Sequence, residues 1–177
     1  MAKTRVKRDA THDKLLGKEV LLYINYGEGA TEAAPVWALI GGQTTADLDM
    51  SADSIDATNK TSDGWGETYA GNKSTELDFE GVLCKSDEAY EALRDAFLAG
   101  ESVDLCRYKA DGTAERNWYS ITDLSDETPH DDVATFKIKA NGLGKPKFYK
   151  GLTSVDGVKS GAETTTTSST SSAKIKP

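Results

Sequence analysis

Two histidines, two cysteines and a surplus of carboxylates are the side chains in this sequence that could carry chemistry. His130 sits in Thr128-Pro129-His130-Asp131-Asp132, next to two aspartates, and His12 stands alone near the start. Adjacent loop residues rarely converge on one ion, and neither histidine has a Cys or His partner at ligand spacing, so no metal site and no cofactor is expected. There is no Gly-x-Ser-x-Gly, no phosphate-cradling loop with a lysine and no His-Glu-x-x-His. Gly27-Glu28-Gly29 is too short to be a nucleotide fingerprint. A glycosidase needs only two carboxylates, which a count alone does not exclude, but the acids fall mainly on polar strand faces where solvation explains them. With no catalytic constellation, the chain is expected not to be an enzyme.

Cys84 and Cys106 fall on different predicted strands. With two cysteines and no export signal, reduced and partly buried thiols are expected rather than a bridge. No apolar run approaches the ~20 residues of a membrane span, so no membrane partner is expected.

The elements that hold these residues are mostly strands. Glu19 to Tyr26 alternates as a strand with both faces partly covered, and Val36 to Ile40 follows Pro35 as a short one. Gln43 to Ser51 places Ala46, Leu48 and Met50 on one face and Thr45, Asp47 and Asp49 on the other. Ser74 to Cys84 does the same with Leu77, Phe79 and Leu83 against Glu76, Asp78 and Glu80. Between them, Ala52 to Lys73 shows no usable period and reads as a long loop, of the kind that is functional or disordered in compact domains. Trp65 within it argues against simple disorder, leaving burial on its own domain or at a partner as the alternatives.

One helix is expected over Asp87 to Ala99, with Ser86 as N-cap, Gly100 as the stop, and Ala89, Tyr90, Leu93, Ala96 and Phe97 on the packed face. Glu101 to Lys109 and Ala114 to Leu124 flank Ala110-Asp111-Gly112-Thr113, a strong hairpin signal, and Asp132 to Asn141 is a last strand. About seven strands and a single helix predict a mainly β fold: an antiparallel β-sandwich or partly open barrel with one flanking α-helix, a long inter-strand loop and extended terminal arms. The chain divides into an N-terminal arm (1–18), a β-sandwich domain (19–144), a basic C-terminal arm (145–163) and a flexible Thr/Ser-rich tail (164–177).

The 177 residues carry a formal charge of -8. Residues 1–18 hold a balance of +4, 19–136 of -18 and 137–177 of +6. An acidic body with basic ends argues against a nucleic-acid groove in the folded part. The ends are either solvated tails or seek acidic surfaces, including copies of the same chain. The acidic strand faces are likewise either an ordinary wet sheet or a border with something that must not stick, such as another polyanion.

Gly42-Gln43-Thr44-Thr45-Ala46-Asp47-Leu48, Ile55 to Trp65 and Gly71-Asn72-Lys73-Ser74 together resemble the major tail (tail tube) proteins of bacteriophages with long non-contractile tails. The resemblance continues through Phe79-Glu80-Gly81, Ala92 to Gly100, and Pro129 to Gly144, covering about residues 15–144. It implies a structural virion protein that polymerises as stacked, hexameric rings into a conduit for genome ejection. It places the chain in the virion tail, assembled in the bacterial host cytoplasm. The implied partners are further copies of the chain, the tape measure protein and tail-terminator or distal tail proteins, with DNA only in transit. On this reading Asp47, Asp49, Glu76, Asp78 and Glu80 line the lumen, and Asn59, Lys60, Trp65, Tyr69, Lys147, Phe148 and Tyr149 contact neighbouring subunits. The competing class is a monomeric carbohydrate-binding β-sandwich with Trp37, Trp65 or Trp118 as sugar platforms.

Overall fold

The computed structural model describes residues 14–159. Eight strands run β1 (Val20–Asn25), β2 (Trp37–Leu39), β3 (Gln43–Asp56), β4 (Thr68–Val82), β5 (Ser102–Lys109), β6 (Ala114–Glu127), β7 (Thr135–Gly142) and β8 (Lys147–Tyr149), with helix α1 (Glu88–Ala99) between β4 and β5. All pair antiparallel in one open sheet ordered β2-β1-β5-β6-β7-β4-β3, with β8 added against the start of β6. The sheet is mainly β and sandwich-like, as the strand count predicts.

Curling brings β1 and β5 over β3 without closing a ladder. Gln43 bridges the gap: its Oε1 accepts from the Leu22 N–H at 2.8 Å, and its Nε2 donates back to the Leu22 carbonyl at 2.7 Å. Arg107 Nε donates to the Ala46 carbonyl at 2.8 Å. Irregularities in β3 between Gln43 and Thr45 and in β6 between Ile121 and Asp123 supply the bend.

Inside the curl, Leu22, Ile24, Leu77, Phe79, Leu105, Phe136 and Ile138 form the main core, with Ala89 and Leu93 of α1 laid on it. Leu77 and Phe79 lie on the apolar face that alternation gave their strand, opposite Glu76, Asp78 and Glu80. α1 starts one residue later than expected. Its N-cap is Asp87, whose Oδ1 accepts from the N–H groups of Ala89 and Tyr90, while its Oδ2 accepts from Gly41 N–H at 2.9 Å. One carboxylate thus caps the helix and anchors the entry to β3, which a hydroxyl at Ser86 would not do. Phe97, expected on the packed face, is 37% exposed.

The largest departure from expectation is the span 52–73. β3 runs on to Asp56 and β4 begins at Thr68, with Ser54, Ile55 and Asp56 paired to Ala70, Tyr69 and Thr68. Ala52 to Asp56 and Thr68 to Ala70 are exposed on both faces, because here the hairpin projects beyond the body. A strand with no buried face has no reason to alternate, so its period is invisible in sequence. The connection shrinks to residues 57–67.

A second, smaller cluster lies on the other side of the sheet: Cys106, Ala114, Tyr149 and Val158, with Tyr23, Trp37 and Tyr108 against it. Residues 145–159, read from sequence as an arm, therefore pack onto the body as far as they are described. Their aromatic Tyr149 and apolar Val158 are 1% and 0% exposed.

Candidate functional site: the wet sheet face and the projecting hairpin

Register decides which polar side chains share a face. Asp47 stands opposite Asp78 and Asp49 opposite Glu76; on the far side of β4, Glu76, Asp78 and Glu80 stand opposite Asn141, Lys139 and Lys137. Asp123 of β6 faces Lys139 from the next strand. All five acids singled out in the sequence therefore lie on one face. Seven carboxylates, Asp123 and Glu127 of β6 included, meet two lysines there.

Those lysines correct the charge division drawn along the chain. Cutting at residue 136 counted Lys137 and Lys139 with the basic C-terminal end, whereas β7 threads them into the middle of the acidic face. Lys139 Nζ lies 3.1 Å from Asp78 Oδ2 and 3.8 Å from Glu76, and Lys137 pairs with Glu80. The hydrogen bonds to Glu80 and Asp78 raise the pKa of Lys137 and Lys139, respectively. Like charges directly opposite destabilise a ladder, and the lysines offset that on β4. Among the described residues no ion pair reaches Asp47 or Asp49, so the excess negative charge gathers on β3, toward the sheet's edge.

The hairpin tip is ordered by its own polar groups. Asp56 Oδ1 accepts from Thr58 N–H, Thr58 Oγ1 from Glu67 N–H, Asn59 Oδ1 from Thr61 N–H, and Ser62 Oγ from Asn59 N–H. Asp63 and Gly64 turn the chain at φ of 49° and 80°. Asn59 is thus a turn former, and Lys60 is exposed beside it. Trp65 is 79% exposed and Tyr69 62%, joined along the hairpin by Ile55 and Met50 at 54% and 55%. Within this chain Trp65 does not fold back on its own domain.

In β8 the three aromatic-arm residues separate. Lys147 reaches Glu32 at 3.5 Å, Phe148 is 38% exposed, and Tyr149 points into the second cluster of its own chain. Tyr149 ends beside a feature that the sequence reading missed, the ion pair of Arg116 and Asp104. Both side chains are 2% exposed, and Arg116 Nε donates to Asp104 Oδ1 at 2.9 Å while Nη2 donates to Oδ2. Asn25 Nδ2 donates to Asp104, Arg116 also donates to the Glu32 carbonyl, and the guanidinium lies 5.2 Å over the Trp37 ring. Burial opposes the charge on Arg116, but its bonds to Asp104 and Tyr149 outweigh it and raise the pKa. The signal was available: the turn at Asp111-Gly112 pairs Cys106 with Arg116 and Asp104 with Trp118, which sets Asp104 and Arg116 on one diagonal.

The residues considered for catalysis lie apart. His130 and Asp131 are 3.5 Å apart on a loop and 98% and 94% exposed. Both thiols are free; Cys106 is wholly buried, its pKa pushed up to about 12 mainly by desolvation, whereas Cys84 is exposed and lies beyond the end of β4. Trp37, one of the three candidate sugar platforms, is half-buried against the second cluster, its Nε1 donating to the Val158 carbonyl at 3.2 Å.

The described residues form an open antiparallel sheet with one flanking helix, a charged wet face and a long projecting hairpin. The chain belongs to the phage tail tube protein family, whose model matches residues 14–148. That family is structural, not enzymatic, and its place is the virion tail. Among solved structures, the chain is similar to the tail of an empty gene transfer agent (GTA) particle refined with C6 symmetry, at 21% identity and a TM-score of 0.65, covering 76% of this chain and 98% of that one. It is similar also to the SPP1 tail tube, at 12% identity and a TM-score of 0.66, covering 78% and 81%. A third likeness is to the baseplate of the anti-feeding prophage, at 8% identity and a TM-score of 0.58, covering 85% and 98%. No curated protein sequence matches the chain.

Proposed function

We propose that this tail tube protein polymerises as stacked hexameric rings whose inner wall is the wet face of β6-β7-β4-β3, forming an acidic conduit for genome ejection. The observation that carries this reading is the gathering of Asp47, Asp49, Glu76, Asp78 and Glu80 on one sheet face by strand register. A polyanion passing such a wall is repelled rather than held, and the paired lysines keep the wall from opposing its own folding. The long edge strand β3 supports ring closure, since an unpaired edge invites pairing and a ring removes it.

Asn59, Lys60, Trp65 and Tyr69 on the hairpin, with Lys147 and Phe148 on β8, contact neighbouring copies in this reading. Tyr149 takes part only by holding β8 in place from within. DNA passes through without tight binding. The tape measure protein and tail-terminator or distal tail proteins are further partners, and assembly proceeds in the bacterial host cytoplasm. Negative-stain microscopy of concentrated purified protein tests the proposal: filaments with an axial hole are expected, and monomers that persist after seeding overturn it. In a tube map, the five acids on the outer surface would refute the lumen assignment while leaving the tube intact.

A further inference from the structure

The projecting hairpin has a counterpart on the same molecule. Where its base meets the body, an open groove of about 750 Å³ is lined by Met50, Ala52, Lys73, Thr75, Pro146 and Phe148. That volume is within the range of about 300–1,000 Å³ typical of pockets that take drug-sized molecules, so an indole fits. Its charged lining residues are Lys73 and Lys145. The hairpin tip carries the opposite balance, Asp56, Asp63 and Glu67 against Lys60, around the exposed Trp65.

A chain cannot fill its own groove. From Ala52, at the hairpin end of the groove, to Asp56 where the tip begins is four residues of strand, about 13 Å at ~3.3 Å per residue, and Trp65 stands 79% exposed beyond it. The hairpin ladder holds the tip that far away. We propose that the occupant is a second copy of this chain: Trp65 of one subunit enters the Met50–Phe148 groove of the next, with Glu67 and Asp63 drawn to Lys73 and Lys145. This deepens, and rests on, the tube reading.

A consequence follows from symmetry. Knob and socket are different surfaces of one molecule, so the contact is head-to-tail and does not close on a pair. Every added layer leaves one knob and one socket open, and the assembly is polar. One end of the tube presents Trp65-bearing tips and the other presents empty grooves, so end-binding partners meet two different surfaces.

Disulfide trapping tests this in a Cys84→Ser background, with Glu67→Cys on the tip and Lys145→Cys on the groove rim of the full chain. Oxidation of polymerised double variant is expected to produce a ladder of covalent oligomers, and neither single variant is expected to cross-link. Tubes that form without a ladder, or tip-to-tip dimers from Glu67→Cys alone, overturn the knob-in-groove contact and leave the tube reading standing. A double variant that is folded but never polymerises, when the Cys84→Ser parent also never does, overturns the tube reading itself. Independently, Trp65→Ala and Phe148→Asp should each raise the critical concentration about 30-fold or more, as loss of an interface hot spot does. The two together should cost little beyond the larger single effect, because both empty the same contact. Full additivity, with thermal unfolding of the unassembled chains unchanged, counts against a shared contact.

Discussion

Replacing Asp104 with alanine strips the countercharge from an arginine that is 2% exposed. Arg116 cannot escape by losing its proton, since a guanidinium stays charged in proteins even when buried. What remains to it is the Glu32 carbonyl, the Trp37 ring and Tyr149. Breaking a buried pair in this way costs about 3–5 kcal/mol, a large share of a typical stability of roughly 5–15 kcal/mol. At a urea slope of about 2 kcal/mol/M, the midpoint should fall by roughly 1.5–2.5 M with the slope unchanged. Tryptophan fluorescence during urea unfolding of the unassembled chain is a direct readout, because the Arg116 guanidinium that loses its partner lies over the Trp37 ring. The double variant Asp104→Leu/Arg116→Met should recover most of the loss, because no buried charge is then left uncompensated. The reasoning fails if Asp104→Ala shifts the midpoint by less than about 0.5 M, or if the double variant is worse than both single variants. Because the same cluster holds β8 and Tyr149, Asp104→Ala should also weaken polymerisation while leaving Trp65 and the hairpin unaltered.

Asp87→Ala removes an N-cap and the acceptor for Gly41 N–H together, and should destabilise the chain by about 1–2 kcal/mol in the same urea assay, whereas Ser86→Ala should change little. Cys106 and Tyr119 have pKa values raised to about 12 from 9.0 and 10.0, mainly by desolvation, so the folded state keeps both neutral while the unfolded chain releases their protons earlier. The stability that they contribute is intact below about pH 9 and is lost progressively from there to about pH 12, which urea midpoints at pH 7, 8.5 and 10.5 should register as a fall only at the last. A thiol reagent at pH 8 should modify Cys84 alone in the folded chain and both cysteines in urea; two modified thiols under native conditions would contradict the burial of Cys106. Asp47→Lys with Asp49→Lys should leave polymerisation intact but make assembled tubes retain DNA in a salt-dependent manner, read by co-sedimentation.

Alternation and turn chemistry made much of the body legible. The β5–β6 hairpin follows from Asp111-Gly112, the inward set Leu77, Phe79, Phe136, Ile138 and Ala140 from period two, and α1 from its apolar spacing and Gly100. Legibility ended where burial ended. The outer half of the β3–β4 hairpin has two wet faces, so nothing in its composition distinguishes it from a loop; only cross-strand pairing shows it. The Arg116–Asp104 pair interrupts an otherwise apolar face, and a polar residue on a strand reads as outward until its partner is located.

Which residues belong together was the part that the linear chain concealed. Its amino acids alone establish the strand-rich class, the single helix, the acidic excess and the absence of a catalytic constellation among motifs, because each depends on near neighbours. Register is a long-range property: a shift of one residue turns every side chain to the opposite face. It took the paired sheet to bring Asp47 and Asp49 beside Glu76 and Asp78, to seat Lys137 and Lys139 among them, and to turn Tyr149 inward while Phe148 faces out. The folded hairpin likewise holds Trp65 beyond about 13 Å of strand from a groove that suits it, a separation that makes one chain's surfaces complementary to those of another copy.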